Sequence, residues 1–339
     1  MNSSLAACVP QYSPNKVIYR VGDKRVTLQQ KLGAGAFGTV SKATDESTFT
    51  EYAFKDITCQ DPQRYNAALK EIQTLYRISH DNVIKIIGED YGYDDVNGVT
   101  HIFILTEYCA GGNLNERLNQ ISSEQMNFKW MRQAAAGLAY LYSQYVIHRD
   151  LKPDNVLLTA PTEDIKLADF GLAKELVPLV QTQLQDVSWL QQYIHHINSK
   201  IGMDWWMAPE VLVPFNSRYT EKSDVFSLGV LFYAILQRDF ILDPFGKKLY
   251  GAFVVAGGYK VGLGRAMTQI AIPIAIPIAF SNSAQGSIKM QRETLKALQL
   301  VENSRPTAGE IHHQFEELKS EIQFWLHQQS LIPIAQMQM

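Results

Sequence analysis

The sequence predicts an α+β chain, with a smaller strand-rich part first and a larger, mainly helical part after it. Three observations carry this. Between Arg25 and about Ile57, β-branched and aromatic residues are broken by glycines and by the polar stretch Ala43 to Thr50, as in strands joined by turns. A helical period over Gln63 to about Ser79 then interrupts the strands, with Ala67, Leu69, Ile72, Leu75, Tyr76 and Ile78 giving an approximate three-to-four spacing. Beyond Gly111 and Gly112 the spacing is helical over Phe128 to Tyr145 and again over Asp224 to Leu236.

Taken in order, the first twenty or so residues are rich in Ser, Asn and Pro, have no clear period, and read as a tail. Arg25 to Ile57 reads as an antiparallel meander. After the helix, Val83 to Ile87 and His101 to Tyr108 are short apolar runs between Gly, Asn and Asp that complete a small sheet. No repeat of solenoid period is present.

The 339 residues correspond to two domains of roughly 150 residues each. Lys and Arg number 31 against 34 Asp and Glu, a net charge of −3 (31 − 34), which excludes a strongly basic nucleic-acid footprint. A composition of 46% hydrophobic and 19% charged residues excludes wholesale disorder. Cys8, Cys59 and Cys109 are odd in number and far apart, which argues against a disulfide framework or a cysteine zinc site and for a reducing compartment. The amino terminus lacks the basic and apolar regions of a secretory signal. The longest apolar run, Ile270 to Phe280, is too short to span a bilayer and is interrupted by Pro273 and Pro277, so no membrane anchor is expected.

Leu32 to Val40 (LGAGAFGTV) holds Gly33, Gly35 and Gly38 in a G-x-G-x-x-G pattern. Taken alone, it reads as an ordinary glycine-rich hairpin. The β-branched Thr39 and Val40 that follow point to a second strand, not to the helix of a dinucleotide-binding turn, so the context favours a hairpin covering phosphates. Such a hairpin needs backbone without Cβ lying close over the phosphates and donating N–H groups. Lys55 ends the β-type run Tyr52 to Lys55, and Glu71 lies on the following helix. They are either two unrelated solvated charges or an ion pair in which Glu71 holds the Lys55 ammonium against phosphate oxygens.

Ile147 to Leu158 (IHRDLKPDNVLL) and Lys166 to Lys174 (KLADFGLAK) are far more specific. His148-Arg149-Asp150, Lys152, Asn155 and Asp169-Phe170-Gly171 resemble, residue for residue, the catalytic-loop and metal-binding signatures of eukaryotic-type protein kinases. The glycine-rich loop, Lys55, Glu71, Ala208-Pro209-Glu210, Asp224 and Arg305 fall in that family's order, so the resemblance covers roughly Arg25 to Leu326.

The resemblance implies a bilobal fold: a tail 1–24, a kinase domain 25–326 with a small lobe 25–108 and a large lobe 110–326, ATP between the lobes, and a tail 327–339. It implies Asp150 as the catalytic base on the substrate hydroxyl, and Asn155 and Asp169 as ligands of Mg²⁺. Lys152 at its position resembles the serine/threonine class, whose substrates are protein Ser and Thr hydroxyls. Leu32, Gly33, Gly35, Gly38 and Val40 would cover ATP, and Val40, Ala53 and Leu157 would sandwich its adenine. Thr106 to Cys109 resembles the hinge, with Thr106 as gatekeeper and Glu107 and Cys109 at the base-binding backbone. For each apolar residue, plain core packing explains its presence as well as ligand contact does. Glu210 and Arg305 would form a buried pair anchoring the activation segment, and Asp224 would tie the catalytic loop.

The chain departs from the family at two places. Met203, in GMDWWMAPE, stands where most serine/threonine kinases carry Thr. The segment Leu172 to Met207 is also longer than usual, with Thr182, Ser188, Tyr193 and Ser199 as candidate phosphorylation sites and Arg149 as a cation for an added phosphate. Gly251 to Met267, within residues 249–287, is an insertion. Together with the long segment it resembles the kinases named for interacting with a PDZ and LIM domain protein, which implies cytoskeletal or nuclear partners and a cytoplasmic or nuclear location. A nucleotide-binding scaffold without catalysis and a small-molecule kinase remain as alternative readings.

Overall fold

The strands begin earlier than the sequence reading placed them. The chain is seen in a computed structural model that describes residues 11–13, 16–35, 38–175, 203–213, 219–269 and 278–330. Strands β1 (Gln11–Ser13), β2 (Lys16–Val21), β3 (Lys24–Gly35), β4 (Gly38–Asp45), β5 (Glu51–Cys59), β6 (Ile86–Asp94) and β7 (Val99–Glu107) form one antiparallel sheet in the order β1-β2-β3-β4-β5-β7-β6. Residues 11–13 and 16–21 therefore do not belong to a flexible tail 1–24. Gly22-Asp23 is a two-residue hairpin loop, with Gly22 at φ +59° and Val21 opposite Lys24. This folds the alternating run KVIYRV back onto β3. It buries Val21 with Val26, Ala43, Phe54, Phe103 and Leu105, and Tyr19 lies 4.9 Å from the Phe54 ring.

Helix α1 (Pro62–Arg77) starts where Asp61 accepts a hydrogen bond from the Arg64 N–H at 2.8 Å, with Pro62 in the first turn. Its buried face carries Ala68, Glu71, Ile72 and Leu75. Of the run Val83 to Ile87, only Ile86 and Ile87 belong to a strand, the start of β6. Val83 makes an isolated bridge to Leu167, and the strand proper runs on through 88–94, whose polar residues suit the outer edge of the sheet.

The chain divides into two compact units, one of Met1–Arg117 with Gln144–Thr182, the other of Leu118–Ser143 with Gln183–Met339. It has the expected α+β bilobal class, strand-rich first and helical afterwards. The boundary differs from the expected one after Tyr108, because residues 144–175 group with the strands. The reason is hydrogen bonding. The small strands β8 (Val146–Ile147), β9 (Val156–Leu158), β10 (Ile165–Leu167) and β11 (Lys174–Glu175) pair as β9–β10 and β8–β11. Ile84 N–H donates to Leu167 O at 2.9 Å, the Asn82 amide to Ile165 O at 3.0 Å, and Gly111 N–H to Leu158 O at 2.8 Å.

Helix α2 (Leu114–Arg117) lies in the first unit, and the second holds α3 (Glu124–Ser143), α4 (Pro209–Leu212) and α5 (Glu221–Gln237). Helix α5 is buried all round from Ser223 to Leu236 and opens with a capping box between Thr220 and Ser223. After α5 the chain forms two hairpins, β12 (Phe240–Leu242) with β13 (Lys248–Tyr250) and β14 (Phe253–Ala256) with β15 (Tyr259–Gly262), and then α6 (Leu263–Gln269); the stretch read as an insertion, 249–287, begins within β13 and takes in the second hairpin and α6. Helices α7 (Ile288–Ala297) and α8 (Ala308–Ser330) follow; α8 runs past the expected domain end at 326. Among the described residues no helix is long and apolar enough to cross a membrane. Thr182, Ser188, Tyr193 and Ser199 lie outside the described residues.

Candidate active site

Strand register decides which side chains share a face. Val40 lies opposite Lys55, Lys42 opposite Ala53, and Ala53 in turn opposite Thr106, so these residues stand on one side of the sheet while Ala43, Phe54 and Leu105 enter the core on the other. Val40, Ala53 and Thr106 are half-buried. On this face the Lys55 ammonium donates to Glu71 Oε1 at 2.6 Å and to Oε2 at 2.9 Å. Glu71 is buried on α1, so the ion pair ties that helix to β5, and the reading of two solvated charges does not hold. Burial by itself would pull the Lys55 ammonium down, but the carboxylates of Glu71 and Asp169 outweigh it and hold its pKa above the ordinary value.

Asp169 comes from the far end of the sequence, yet its Oδ1 lies 3.5 Å from Lys55 Nζ. It sits at φ +65°, in the left-handed region that costs a non-glycine residue about 1–3 kcal/mol, and surrounding bonds fix it there. Ala168 N–H donates to Asn155 O at 2.9 Å, and His148 Nε2 lies 3.1 Å from Ala168 O. His148 Nδ1 accepts the Asp150 N–H at 3.3 Å, which places the imidazole proton on Nε2. Phe170 is buried, its ring 5.0 Å from that of His148. Burial would raise the Asp169 carboxyl; the ammonium groups of Lys55 and Lys152 hold it below the usual range instead.

The loop before β9 carries the remaining groups. The Asp150 carboxylate accepts from Lys152 Nζ at 2.6 Å and from the Asn155 amide at 2.8 Å, and the same amide donates to Asp150 O at 2.8 Å. Burial raises the Asp150 carboxyl above its ordinary value, and the neighbouring Lys152 only partly offsets this. For Lys152, burial lowers and Asp150 raises; the net shift is upward. Lys55, Glu71, Asp150, Lys152 and Asp169 sum to one net negative charge when all are ionised, and all lie in the first unit.

Beyond this cluster the residues are placed as follows. Leu32, Gly33 and Gly35 are exposed, and a Cβ on either glycine would meet no atom within 4 Å. Gly38 differs: at φ +128° its Cβ would lie 2.1 Å from Asp56 O, so the fold alone demands glycine there. Leu157 is half-buried between the buried Val156 and Leu158. Glu107 ends β7, and its carboxylate accepts from Lys85 N–H at 2.8 Å and from Lys166 Nζ at 3.0 Å. Cys109 is buried. Burial, with the Glu107 charge, pushes its thiol up to about 12, which leaves it unreactive at neutral pH.

Sequence reasoning did not find two groups beside this site. Lys42 pairs with Glu51 at 2.6 Å and lies 5.0 Å over the Tyr108 ring, but a strand lysine reads as surface. His148 was noted only as part of its motif; its two ring-nitrogen bonds join Ala168 to Asp150.

The donors suit a hard cation carried by phosphates. Among the described residues no three His, Cys, Asp or Glu side chains gather to hold an ion by themselves. With the Asn155 amide nitrogen committed to Asp150, its oxygen and the Asp169 carboxylate are hard oxygen donors of the kind that Mg²⁺ takes, characteristically one or two from protein with phosphates and water.

A family model described as the protein kinase domain matches residues 26–315. Serine/threonine-protein kinase 1 of Arabidopsis thaliana is 35% identical over 204 residues, which is 59% of this chain and 22% of that protein. The match thus spans about a fifth of the relative's length.

Proposed function

The chain belongs to the protein kinase domain family, and from that premise we propose that it transfers the γ-phosphoryl group of ATP to Ser and Thr hydroxyls of proteins. The observation that carries this reading is the gathering of Lys55, Glu71, Asp150, Lys152, Asn155 and Asp169, drawn from four separate stretches of sequence, in one unit. In the reaction the hydroxyl oxygen bonds to the γ-phosphorus, the bond to the bridging oxygen of ADP breaks, and the hydroxyl proton passes to Asp150. Asp150 orients the hydroxyl, and Lys152 puts a positive charge beside the transferred group. Lys55, fixed by Glu71, meets phosphate oxygens. Asn155 and Asp169 would hold Mg²⁺, which supplies charge neutralisation at the phosphates.

Leu32, Gly33, Gly35 and Gly38 form the hairpin over the nucleotide, with Val40, Ala53 and Leu157 against the adenine and the backbone of Glu107 and Cys109 along its edge. Gly38 and the other two glycines then separate by experiment. Gly38→Ala is expected to lower stability by about 1–3 kcal/mol through backbone strain. Gly33→Ala and Gly35→Ala should melt with wild type yet raise the KM for ATP. Thermal melts and ATP titrations check this; equal destabilisation at all three positions contradicts it.

By the resemblance to protein kinases, the Ala208-Pro209-Glu210 segment supports a docked peptide, and on that ground the acceptor protein is assigned to residues 203–210, which lead into it. Lys152 favours the serine/threonine class, as does the name of the similar relative. A peptide array with labelled ATP is expected to show incorporation on Ser and Thr peptides; label confined to Tyr peptides overturns the class, and label on small molecules alone overturns the protein acceptor. The family match and the relative support this broader class and not the narrower subgroup with PDZ and LIM domain partners. Cys59 and Cys109 are free buried thiols, which favours a reducing compartment, cytoplasm or nucleus.

A further inference from the structure

The stretch inserted after α5 does not project freely from its unit; it packs onto the turn Met203–Trp206. That turn is a single 3₁₀ element closed by a bond from Met207 N–H to Asp204 O at 3.3 Å, and short elements of this kind carry little internal bonding. The hairpin region supplies support at three points. Arg265 Nε donates to Asp204 Oδ2 at 2.5 Å, and a second guanidinium nitrogen meets the same oxygen. The Trp206 indole N–H donates to Tyr250 O at 2.9 Å. In Gly262-Leu263-Gly264 the buried Leu263 joins the cluster of Trp206, Met207 and Ala208, while the two glycines let backbone meet backbone. A Cβ at Gly264 would lie 2.0 Å from Met207 O, and one at Gly262 2.8 Å from Trp205 Cα.

Magnitudes separate two roles for Arg265. Its side chain is 42% exposed, and an ion pair of that exposure contributes only about 0–1 kcal/mol to global stability. Leu263 and Trp206 already provide the apolar packing. What the charged pair adds is direction: it fixes the start of the turn at Asp204, beside Met203, which brings no hydroxyl.

We propose that Arg265 is a positioning residue for the acceptor protein, holding residues 204–208 in place through Asp204. This rests on the phosphoryl-transfer reading and on residues 203–210 carrying the acceptor. It gives the insertion a role in substrate engagement.

Arg265→Ala is expected to raise the KM for a protein or peptide acceptor by roughly two- to fivefold, the range open to an ion pair of this exposure. The KM for ATP and the melting temperature should stay at wild-type values, and amide exchange over 204–208 should quicken. The reversed pair Asp204→Arg with Arg265→Asp should recover much of the acceptor KM. Unchanged acceptor KM and exchange in Arg265→Ala would overturn the proposal, as would a general loss in which both KM values move together with melting. Wild-type protein without transfer activity would fail the kinase reading instead; the exchange comparison, which needs no turnover, would still decide whether Arg265 holds the turn.

Discussion

Asp150→Asn is expected to lower phosphoryl transfer by roughly 10²–10⁴-fold, the range that a positioned general base contributes. The substitution keeps the shape of the side chain and one oxygen to accept from Lys152 or the Asn155 amide, so the loop stays tied to Ala168 through Asn155 and His148. ATP affinity should therefore be retained while turnover falls. The pH profile supplies a second signature. Burial holds the Asp150 carboxyl above its ordinary value; because the base acts ionised, activity falls as pH drops through that raised pKa, and the acid limb of kcat/KM lies above the usual aspartate range. In Asp150→Asn that limb disappears. Equal label incorporation by wild type and Asp150→Asn would remove Asp150 from the chemistry, and equality at the no-enzyme background would favour a nucleotide-binding scaffold.

The residues around this chemistry were legible in the sequence because their types are set by the atoms they present, not by packing. Asp150, Lys152, Asn155 and Asp169 stand in two short loops at fixed spacing, and no core requirement explains three carboxylate or carboxamide groups and a lysine there. Glu71 was legible only in company with them, since a helix glutamate has many uses; its burial against Lys55 depends on how α1 packs on β5. Gly38 answers to a second constraint. It belongs to the glycine pattern, but its positive φ and the closeness of Asp56 O account for it without any ligand.

The early strand β2 was missed although its signal was present, with the alternating KVIYRV and KRVTL flanking Gly22-Asp23. The run is so near the polar amino terminus that composition dominated the reading. The grouping of residues 144–175 with the strands was not legible at all, because Asn82, Ile84 and Gly111 reach them through hydrogen bonds whose partners lie far along the chain. The brace on Met203–Trp206 was hidden for the same reason: Gly262 and Gly264 read as loop glycines until the backbone opposite them is known.

Removing Arg305 is expected to produce the largest loss of stability of any single substitution considered. Its side chain is fully buried and uses all five N–H donors: two to Glu210 at 2.7 and 2.8 Å, one to Gln299 O at 2.8 Å, one to Lys222 O at 2.9 Å and one to Leu300 O at 3.3 Å. The guanidinium also lies 4.9 Å over the Phe226 ring. Arg305→Ala leaves the Glu210 carboxylate with Ser223 as its remaining partner at 2.8 Å and strips three backbone carbonyls of a donor. Breaking a buried pair from one side costs about 3–5 kcal/mol, which for a chain of this size lowers the melting temperature by roughly 4–7 °C. Glu210→Gln should cost less, since the amide oxygen still accepts from the guanidinium and the three carbonyl bonds survive. The order of the two losses is the test. If Arg305→Ala melts with wild type, or if Glu210→Gln is the more damaging, then the five-bond arrangement does not hold this unit together. A double-mutant cycle would show the coupling directly, because the loss in Arg305→Ala with Glu210→Gln must fall short of the sum of the two singles if the side chains act as one pair.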